Sequence, residues 1–340
     1  MSRALVFVAA LGGLMVVALA DDIRFETSGV VRRGAELLFV SDEMPGTYLA
    51  YRIADLHWEE NCARLTPERL AIIDLGQALS LDPEGVGILA DGRVVLLSER
   101  LRGLVTSDGL VVDYDDPLGE MANAGLEGLA VRSFGGGRSE VAVLWEGGYL
   151  EGDRVPPVVQ EYKSPKAVKP FIVIHEIERD AKPITQYKSR RTKATRVLDV
   201  PQPPGNPPSA QRFRAPDLVW EDPTERAQSG TENSNLIVLL NSRAAFRDPK
   251  LKPEDDARQS LLWLQRFSRD GARIGLPLDI DKKVPSAFGS LNWEGLGWWQ
   301  EGKTLILVDD AGILRPATQP PAVCLVDIPP EWKISARGMK

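Results

Sequence analysis

The chain has 340 residues, with 48 acidic against 41 basic side chains and a formal net charge of −7. That balance speaks against nucleic acid as a partner, because a phosphate backbone is held by surplus Lys and Arg. The length exceeds that of most single domains, yet all-β closed folds hold such chains as one unit.

At the start, Arg3 is followed by an uncharged run from Ala4 to Ala20 that ends in Ala18-Leu19-Ala20, a small-x-small cleavage pattern. Residues 1–20 are therefore expected to be a signal peptide, with an uncleaved anchor as the alternative at this length. Residues 21–340 read as one domain, exported to a periplasmic or extracellular space. No later stretch approaches 18 consecutive apolar residues, so no membrane span is expected after signal removal.

Runs rich in Val, Leu and Ile, bounded by Gly, Asp and Pro, then recur as strand signals. They cover Leu37 to Val40, Arg69 to Ile73, Val94 to Leu97, Leu110 to Val112, Val141 to Trp145, Phe171 to Ile177, Leu236 to Leu240, Leu261 to Phe267, Leu305 to Val308 and Val323 to Ile328. Asp91-Gly92, Asp108-Gly109 and Asp270-Gly271 are hairpin turn pairs that tolerate positive φ. No long segment of period 3.6 appears, and the fold class is all-β.

A phrase repeats along these strands. A Glu-Gly-aliphatic triplet precedes a hydrophobic strand ending on an acid, as Glu84-Gly85-Val86 to Glu99, Glu127-Gly128-Leu129 to Glu146, and Glu294-Gly295-Leu296 to Asp309. The two acids stand 15, 19 and 15 residues apart, the longer gap containing Gly135-Gly136-Gly137. Repetition of one short-strand unit at this scale signals a β-propeller, and acids at equivalent positions should gather near one rim.

Between Glu161 and Arg214 the composition changes to 12 basic against 5 acidic residues, a local net of +7 that leaves −14 for the remainder. The Pro-rich tail Pro201 to Pro208 cannot supply ladder donors. A basic loop insertion over about 181–214 is expected. Lys188, Arg190, Arg212 and Arg214 are its candidate ligand-binding residues, and solvated surface is the alternative. Cys62 and Cys324 lie near the two ends of the mature chain, either joined as a disulfide or buried as two thiols.

The residues also narrow the chemistry. The two histidines, His57 and His175, have no G-x-S-x-G elbow beside them, and no H-E-x-x-H or paired C-x-x-C pattern offers a zinc site. What remains is a set of carboxylates. Glu43, Glu84, Glu99, Glu146 and Asp309, with Asp42 and Asp310 adjoining, are candidate ligands for Ca²⁺, which takes six to eight oxygen donors. Glu127 and Glu294 are candidate catalytic acids, and Arg100 and Arg243 could clamp a substrate oxygen. The alternative for each Glu-Gly pair is structural, with the Glu capping backbone where the Gly bends one blade into the next. Trp293, Trp298 and Trp299 form an aromatic group suited to packing or to stacking on a sugar.

At Gly125-Leu126-Glu127-Gly128-Leu129-Ala130, Asn292-Trp293-Glu294-Gly295-Leu296, Leu96-Leu97-Ser98-Glu99-Arg100 and Leu261 to Gly271, the chain resembles the phytase-like propeller family, the domain with esterase-like activity of phytase. The resemblance implies a secreted propeller of six blades and a Ca²⁺-linked hydrolase of esters or phosphoesters, acting on a small anionic or ester substrate. The Asp-Asp-Pro-Ala-x-Trp phrase of alkaline propeller phytases is absent, the nearest text being Asp115-Asp116-Pro117-Leu118. A lactonase-like propeller and a noncatalytic envelope propeller that binds a polyanion, glycan or protein are the other readings.

Overall fold

The computed structural model describes residues 8–11, 14–17, 27–41, 44, 46–75, 82–114, 125–146, 170–177, 196–201, 214–222, 234–242, 261–285, 292–310 and 320–332. In chain order, β1 (Val8–Leu11) and β2 (Leu14–Val17) form an antiparallel hairpin in the run expected to be a leader. The first blade holds β3 (Thr27–Arg33), β4 (Glu36–Ser41), β5 (Thr47–Arg52) and, after β6 (Cys62–Arg64) departs, β7 (Ala71–Asp74). The second is β8 (Pro83–Ile88), β9 (Val94–Ser98), β10 (Gly103–Thr106) and β11 (Gly109–Asp113).

The third blade is β12 (Leu126–Phe134), β13 (Arg138–Trp145), β14 (Phe171–Ile177) and β15 (Arg196–Val197). The fourth is β16 (Leu218–Trp220), β17 (Leu236–Ser242), β18 (Leu261–Phe267) and β19 (Arg273–Asp279). The fifth is β20 (Trp293–Gln300), β21 (Thr304–Asp309) and β22 (Ala322–Asp327), completed by β6 from within the first blade.

The described residues thus build five four-stranded blades, where six were expected. The inner strands β3, β8, β12, β16 and β20 each contact the next, and β20 returns to β3, so the ring is closed with no gap for a further sheet. The cores say the same. The described residues form five buried apolar clusters, one at each interface between neighbouring blades.

This arrangement explains the unbroken apolar runs. In β4, Leu37 and Phe39 face the fifth blade while Leu38 and Val40 face the second. In β13, Val141 and Val143 face the second blade while Ala142 and Leu144 face the fourth. A strand buried on both faces has no polar side to alternate with.

Ring closure depends on β6, whose residues pair with β22 in the register Cys62↔Cys324 and Ala63↔Val323. Directly opposed residues of an antiparallel pair bring their Cβ atoms within disulfide reach. Cys62 and Cys324 are bonded, with Cα atoms 4.1 Å apart, which decides between the disulfide and two separate thiols. The bond closes a chain separation of 262 residues.

Part of the expected basic insertion is built into the propeller. Arg196–Val197 is the outer strand of the third blade, and Leu198 is fully buried between the third and fourth blades. Arg196 and Asp199 reach across to Asp270 at 3.1 Å and Arg273 at 2.6 Å. Lys188, Arg190, Arg212 and the Pro-rich tail beyond Pro201 lie outside the described residues. Gly92, Gly109 and Gly271 have φ of 88°, 118° and 84°, as the three Asp-Gly turns require. The run Arg69 to Ile73 enters its strand only at Ala71, after a 3₁₀ turn over Pro67–Arg69.

Candidate functional site

Each Glu-Gly pair lies on the innermost strand of a blade, where the sequence pattern shows no strand because Glu and Gly both disfavour one. The register explains their presence there. Pro83 pairs with Ser98 and Gly85 with Leu97, Leu126 with Trp145 and Gly128 with Leu144, Trp293 with Asp309 and Gly295 with Val308. In all three blades one residue is left over, and it is the Glu. A β-bulge re-aims its extra residue and bends the strand, and here it sends Glu84, Glu127 and Glu294 out of the ladder at the same end of the ring.

The glycine that follows allows the inner strands to approach. A Cβ on Gly85 would lie 2.7 Å from the Cβ of Leu129, and one on Gly128 would lie 2.9 Å from the Cα of Asp217. The first blade uses Ser28-Gly29, and a Cβ on Gly29 would lie 3.0 Å from the Cα of Gly85.

The backbone bonds beside each bulge correct the expected equivalence of the acids. Glu99 N–H donates to Asp82 O, Glu146 N–H to Gly125 O, and Asp310 N–H to Asn292 O. Asp310, not Asp309, therefore corresponds to Glu99 and Glu146, and the third spacing is 16 residues rather than 15. The extra residue is Trp299, left over by a second bulge between Trp298 and Gln300. Asp309 is fully buried, and its carboxylate receives Ala322 N–H at 2.5 Å inside the fifth blade.

In the fourth blade the same junction is made by Arg214 and Asn241, which exchange backbone bonds of 2.8 and 3.0 Å. Arg214, expected as part of a basic loop, is thereby fixed beside the ring of carboxylates. Its Nε donates to Glu146 Oε1, and its Nη1 lies 3.8 Å from Glu294 Oε1. Asn292 Nδ2 donates to Glu294 Oε1 at 2.5 Å and to Asp310 Oδ2. Glu146 is buried and Glu294 nearly so, while the Arg214 side chain keeps 35% of its exposure.

Asp217 forms the floor. Its Oδ1 receives Leu218 N–H at 2.8 Å and Leu129 N–H at 3.3 Å, and its Oδ2 receives Leu296 N–H at 2.6 Å. One carboxylate on the fourth blade thus joins the inner strands of the third and fifth. At that depth one carboxylate spans the space between those two strands, and Arg214 with its carboxylates forms the site termed the cup.

Charge in the cup is uneven. Burial, then the neighbouring Glu146 and Glu84, hold the Glu127 carboxyl well above the usual carboxylate range against the pull of Arg214. Burial alone would pull Arg214 down, but Glu146, Glu294 and Glu127 raise it above its ordinary value. Burial also raises Asp217, against the three backbone donors that favour its charged form.

Two other expected residues follow β9 of the second blade. Glu99 packs against Gly125 at the junction of the second and third blades. Arg100 is exposed in the turn after β9, where its charge acts on Asp82, a carboxyl raised by burial. Glu43, Asp42 and Arg243 lie outside the described residues. The three tryptophans are used in packing. Trp293 is buried, Trp298 donates to Trp220 O at 2.8 Å, and Trp299 meets Trp58 edge-on at 5.4 Å.

The expected Ca²⁺ ligand set is described only in part, because Glu43 lies outside the described residues. Among the described residues no group of three or more His, Cys, Asp or Glu side chains is disposed to hold a metal ion. The Arg214 guanidinium stands among Glu146, Glu294 and Glu127, whose charges raise it.

No family model and no curated protein matches the sequence. Among solved structures, the chain is similar to a gluconolactonase from Xanthomonas campestris at 12% identity, covering 94% of this chain and 95% of that one, with a TM-score of 0.33. A glycosyl hydrolase from Bacteroides ovatus gives 12%, 89%, 84% and 0.39 in the same order. A virginiamycin B lyase from Staphylococcus aureus gives 10%, 92%, 98% and 0.33. The propeller itself rests on the five closed sheets of the described residues.

Proposed function

We propose that the cup cleaves a neutral ester, a lactone or acyl ester, by acid–base chemistry. The observation that carries this reading is the Arg214 guanidinium held among Glu146, Glu294 and a Glu127 whose carboxyl is shifted toward its protonated form. A carboxyl held toward its protonated form, beside a carboxylate that accepts from Asn292 and faces the Arg214 guanidinium, can supply an acid and a base in one site. Glu294 takes a proton from water as the water oxygen attacks the carbonyl carbon. Glu127 gives its proton to the departing alkoxide, and Arg214 faces the negative charge that develops on the carbonyl oxygen.

The charge of the cup sets the substrate class. Glu146, Glu294 and Glu127 act on Arg214, Glu84 acts on Glu127, and Asp310 shares Asn292 with Glu294, so carboxyl groups outnumber the guanidinium there and phosphate would meet that excess as repulsion. Neutral esters are therefore favoured over the phosphoesters that the phytase-like resemblance implies. Export belongs to the same proposal, and its support is the Cys62–Cys324 bond, of a kind that persists in oxidising compartments.

The test is turnover by the chain from Asp21 on lactone, acyl ester, phosphomonoester and phosphodiester substrates, each with Ca²⁺ and with EDTA. Lactone or acyl ester cleavage that survives EDTA is expected. Cleavage confined to phosphoesters, or abolished by EDTA, would overturn the reading. Absence of turnover from a folded protein would favour the binding propeller.

A further inference from the structure

We infer that Asp217 is the positioning residue of the cup, fixing Glu127 and Glu294 on either side of Arg214. The inference deepens the acid–base reading in its catalytic consequence, while its structural content stands on hydrogen bonds alone. Asp217 is three residues beyond Arg214, and the N–H groups it accepts belong to Leu129 and Leu296. Each of those residues is two positions beyond a bulged glutamate, Glu127 or Glu294. The fourth blade carries Pro216-Asp217-Leu218 where the third and fifth carry Glu-Gly-Leu. The fourth blade, which supplies no bulged glutamate, thus supplies the carboxylate that bonds the strands carrying Glu127 and Glu294.

The geometry requires a carboxylate. Asp217 is 2% exposed, and its two oxygens meet three N–H donors from three separate blades. An asparagine offers one oxygen, so its amide N–H₂ would face an N–H group on one side. With Oδ1 kept for Leu129 and Leu218, the bond lost is that to Leu296. The inner strand of the fifth blade would then be free to move relative to Arg214, and Glu294 with it.

The experiment uses the full chain, deuterated and ¹⁵N-labelled, as wild type, Asp217→Asn and Glu140→Gln. Glu140 is a buried acid of the third blade paired with Arg132 and Arg269 at 2.6 and 2.5 Å. It lies opposite Arg132, about 20 Å along the strand from the Leu126 end at the usual rise per residue, and serves as a structural control. Two signals are read: amide exchange at Leu129 and Leu296, and the Arg214 Nε–H resonance, assigned by its loss in Arg214→Lys.

In Asp217→Asn, exchange at Leu296 should rise by about tenfold or more, as for a bond released from a protected core, and the Arg214 Nε–H resonance should move. Glu140→Gln should leave both unchanged. The inference is overturned if Asp217→Asn leaves the Arg214 resonance in place, or if Glu140→Gln moves it equally. Should Asp217→Asn fail to fold, Asp217→Glu keeps both acceptors but displaces them by one methylene, and an unmoved Arg214 resonance there overturns it too.

Turnover separates this inference from the proposed function. A wild type inactive on every ester removes the hydrolase reading, while the resonance still decides the role of Asp217. An active wild type whose Asp217→Asn variant loses kcat at unchanged KM supports both.

Discussion

The backbones of Arg214 and Asn241 bond to each other where the third blade joins Gly125 to Glu146 and the fifth joins Asn292 to Asp310. The fourth blade therefore follows the repeat in its backbone and departs from it in its side chains. That departure places one cation in a ring that otherwise supplies acids. Arg214→Lys should keep the charge but cannot present Nε and Nη1 to Glu146 and Glu294 together, and kcat should fall about 100-fold or more, as on loss of an oxyanion donor. Arg214→Ala should also destabilise by about 2–3 kcal/mol, because Glu146 remains buried without its charge partner, the figure being reduced for the partial exposure of Arg214. Steady-state kinetics and urea unfolding check the two effects separately.

Glu127 gives a pH dependence of definite sign. Its carboxyl is raised in the folded protein by burial and by Glu146 and Glu84. The stability contributed by its protonated form is fully present below the ordinary glutamate value of about 4.3 and is lost as pH rises through the raised folded value. Glu127→Gln, which is neutral throughout, should match wild type near pH 4 and exceed it at pH 8, by about 2 °C in Tm for each kcal/mol gained. The same variant should lose kcat by about 100-fold or more if Glu127 is the proton donor. Melting curves across that pH range would sink the assignment if the wild-type and variant profiles stayed parallel.

Much of the fold was readable because the second strand of each blade is buried on both faces. Leu37 to Val40, Val94 to Leu97, Val141 to Trp145, Leu236 to Leu240 and Leu305 to Val308 fall within the second strands β4, β9, β13, β17 and β21, and the third strands Phe171–Ile177 and Leu261–Phe267 appear with the same ends as read. The inner strands were not readable as strands, since a bulged Glu and a close-packed Gly interrupt both the alternation and the propensity. Blade number was hidden for a related reason: the first and fourth blades carry Ser28-Gly29 and Pro216-Asp217 in place of Glu-Gly, and β6 leaves the first blade to complete the fifth. In the cup, Glu84, Glu127, Glu146 and Glu294 were legible from the repeat. Arg214 was legible only as a charge, its surroundings set by a pairing with Asn241 across 27 residues of chain. Asp217 had no signal, Asn292 stood out only as the first residue of the motif around Glu294-Gly295, and Asp309 displaced Asp310 because the bulge at Trp299 shifts the count by one.

The glycines of the repeat are predicted to be intolerant of a single methyl group. In Gly128→Ala the new Cβ would lie 2.9 Å from both the Cα and the Oδ1 of Asp217 and 2.8 Å from a Leu218 methyl. The two inner strands would have to separate, at a cost of about 2–3 kcal/mol for overpacking. Gly92→Ala supplies the comparison, because Gly92 has φ of 88° with nothing within 4 Å of the added Cβ. That substitution should cost about 1–2 kcal/mol through the left-handed backbone alone and should leave turnover unchanged. Gly128→Ala should lower turnover as well, and equal activity per folded molecule in the two variants would contradict the close approach at Asp217.

Closure of the ring yields the last prediction. β6 lies within the first blade in sequence but hydrogen-bonds to β22 of the fifth, and the Cys62–Cys324 bond fixes that pairing. A cross-link over so long a separation restricts the unfolded chain, and the chain-entropy account gives about 5 kcal/mol as an upper value. Cys62→Ala with Cys324→Ala should lower Tm by roughly 10 °C or less at about 2 °C per kcal/mol for a chain of this size. Both sulfur positions are fully buried between the fourth and fifth blades, so two hydroxyls there add a burial cost that Ala would not. The Ala pair should therefore lie between wild type and the Ser pair, and dithiothreitol should bring wild type down toward the Ala pair while leaving that variant unmoved. A Tm indifferent to dithiothreitol under conditions that reduce the bond would show that the β6–β22 ladder closes the ring without it.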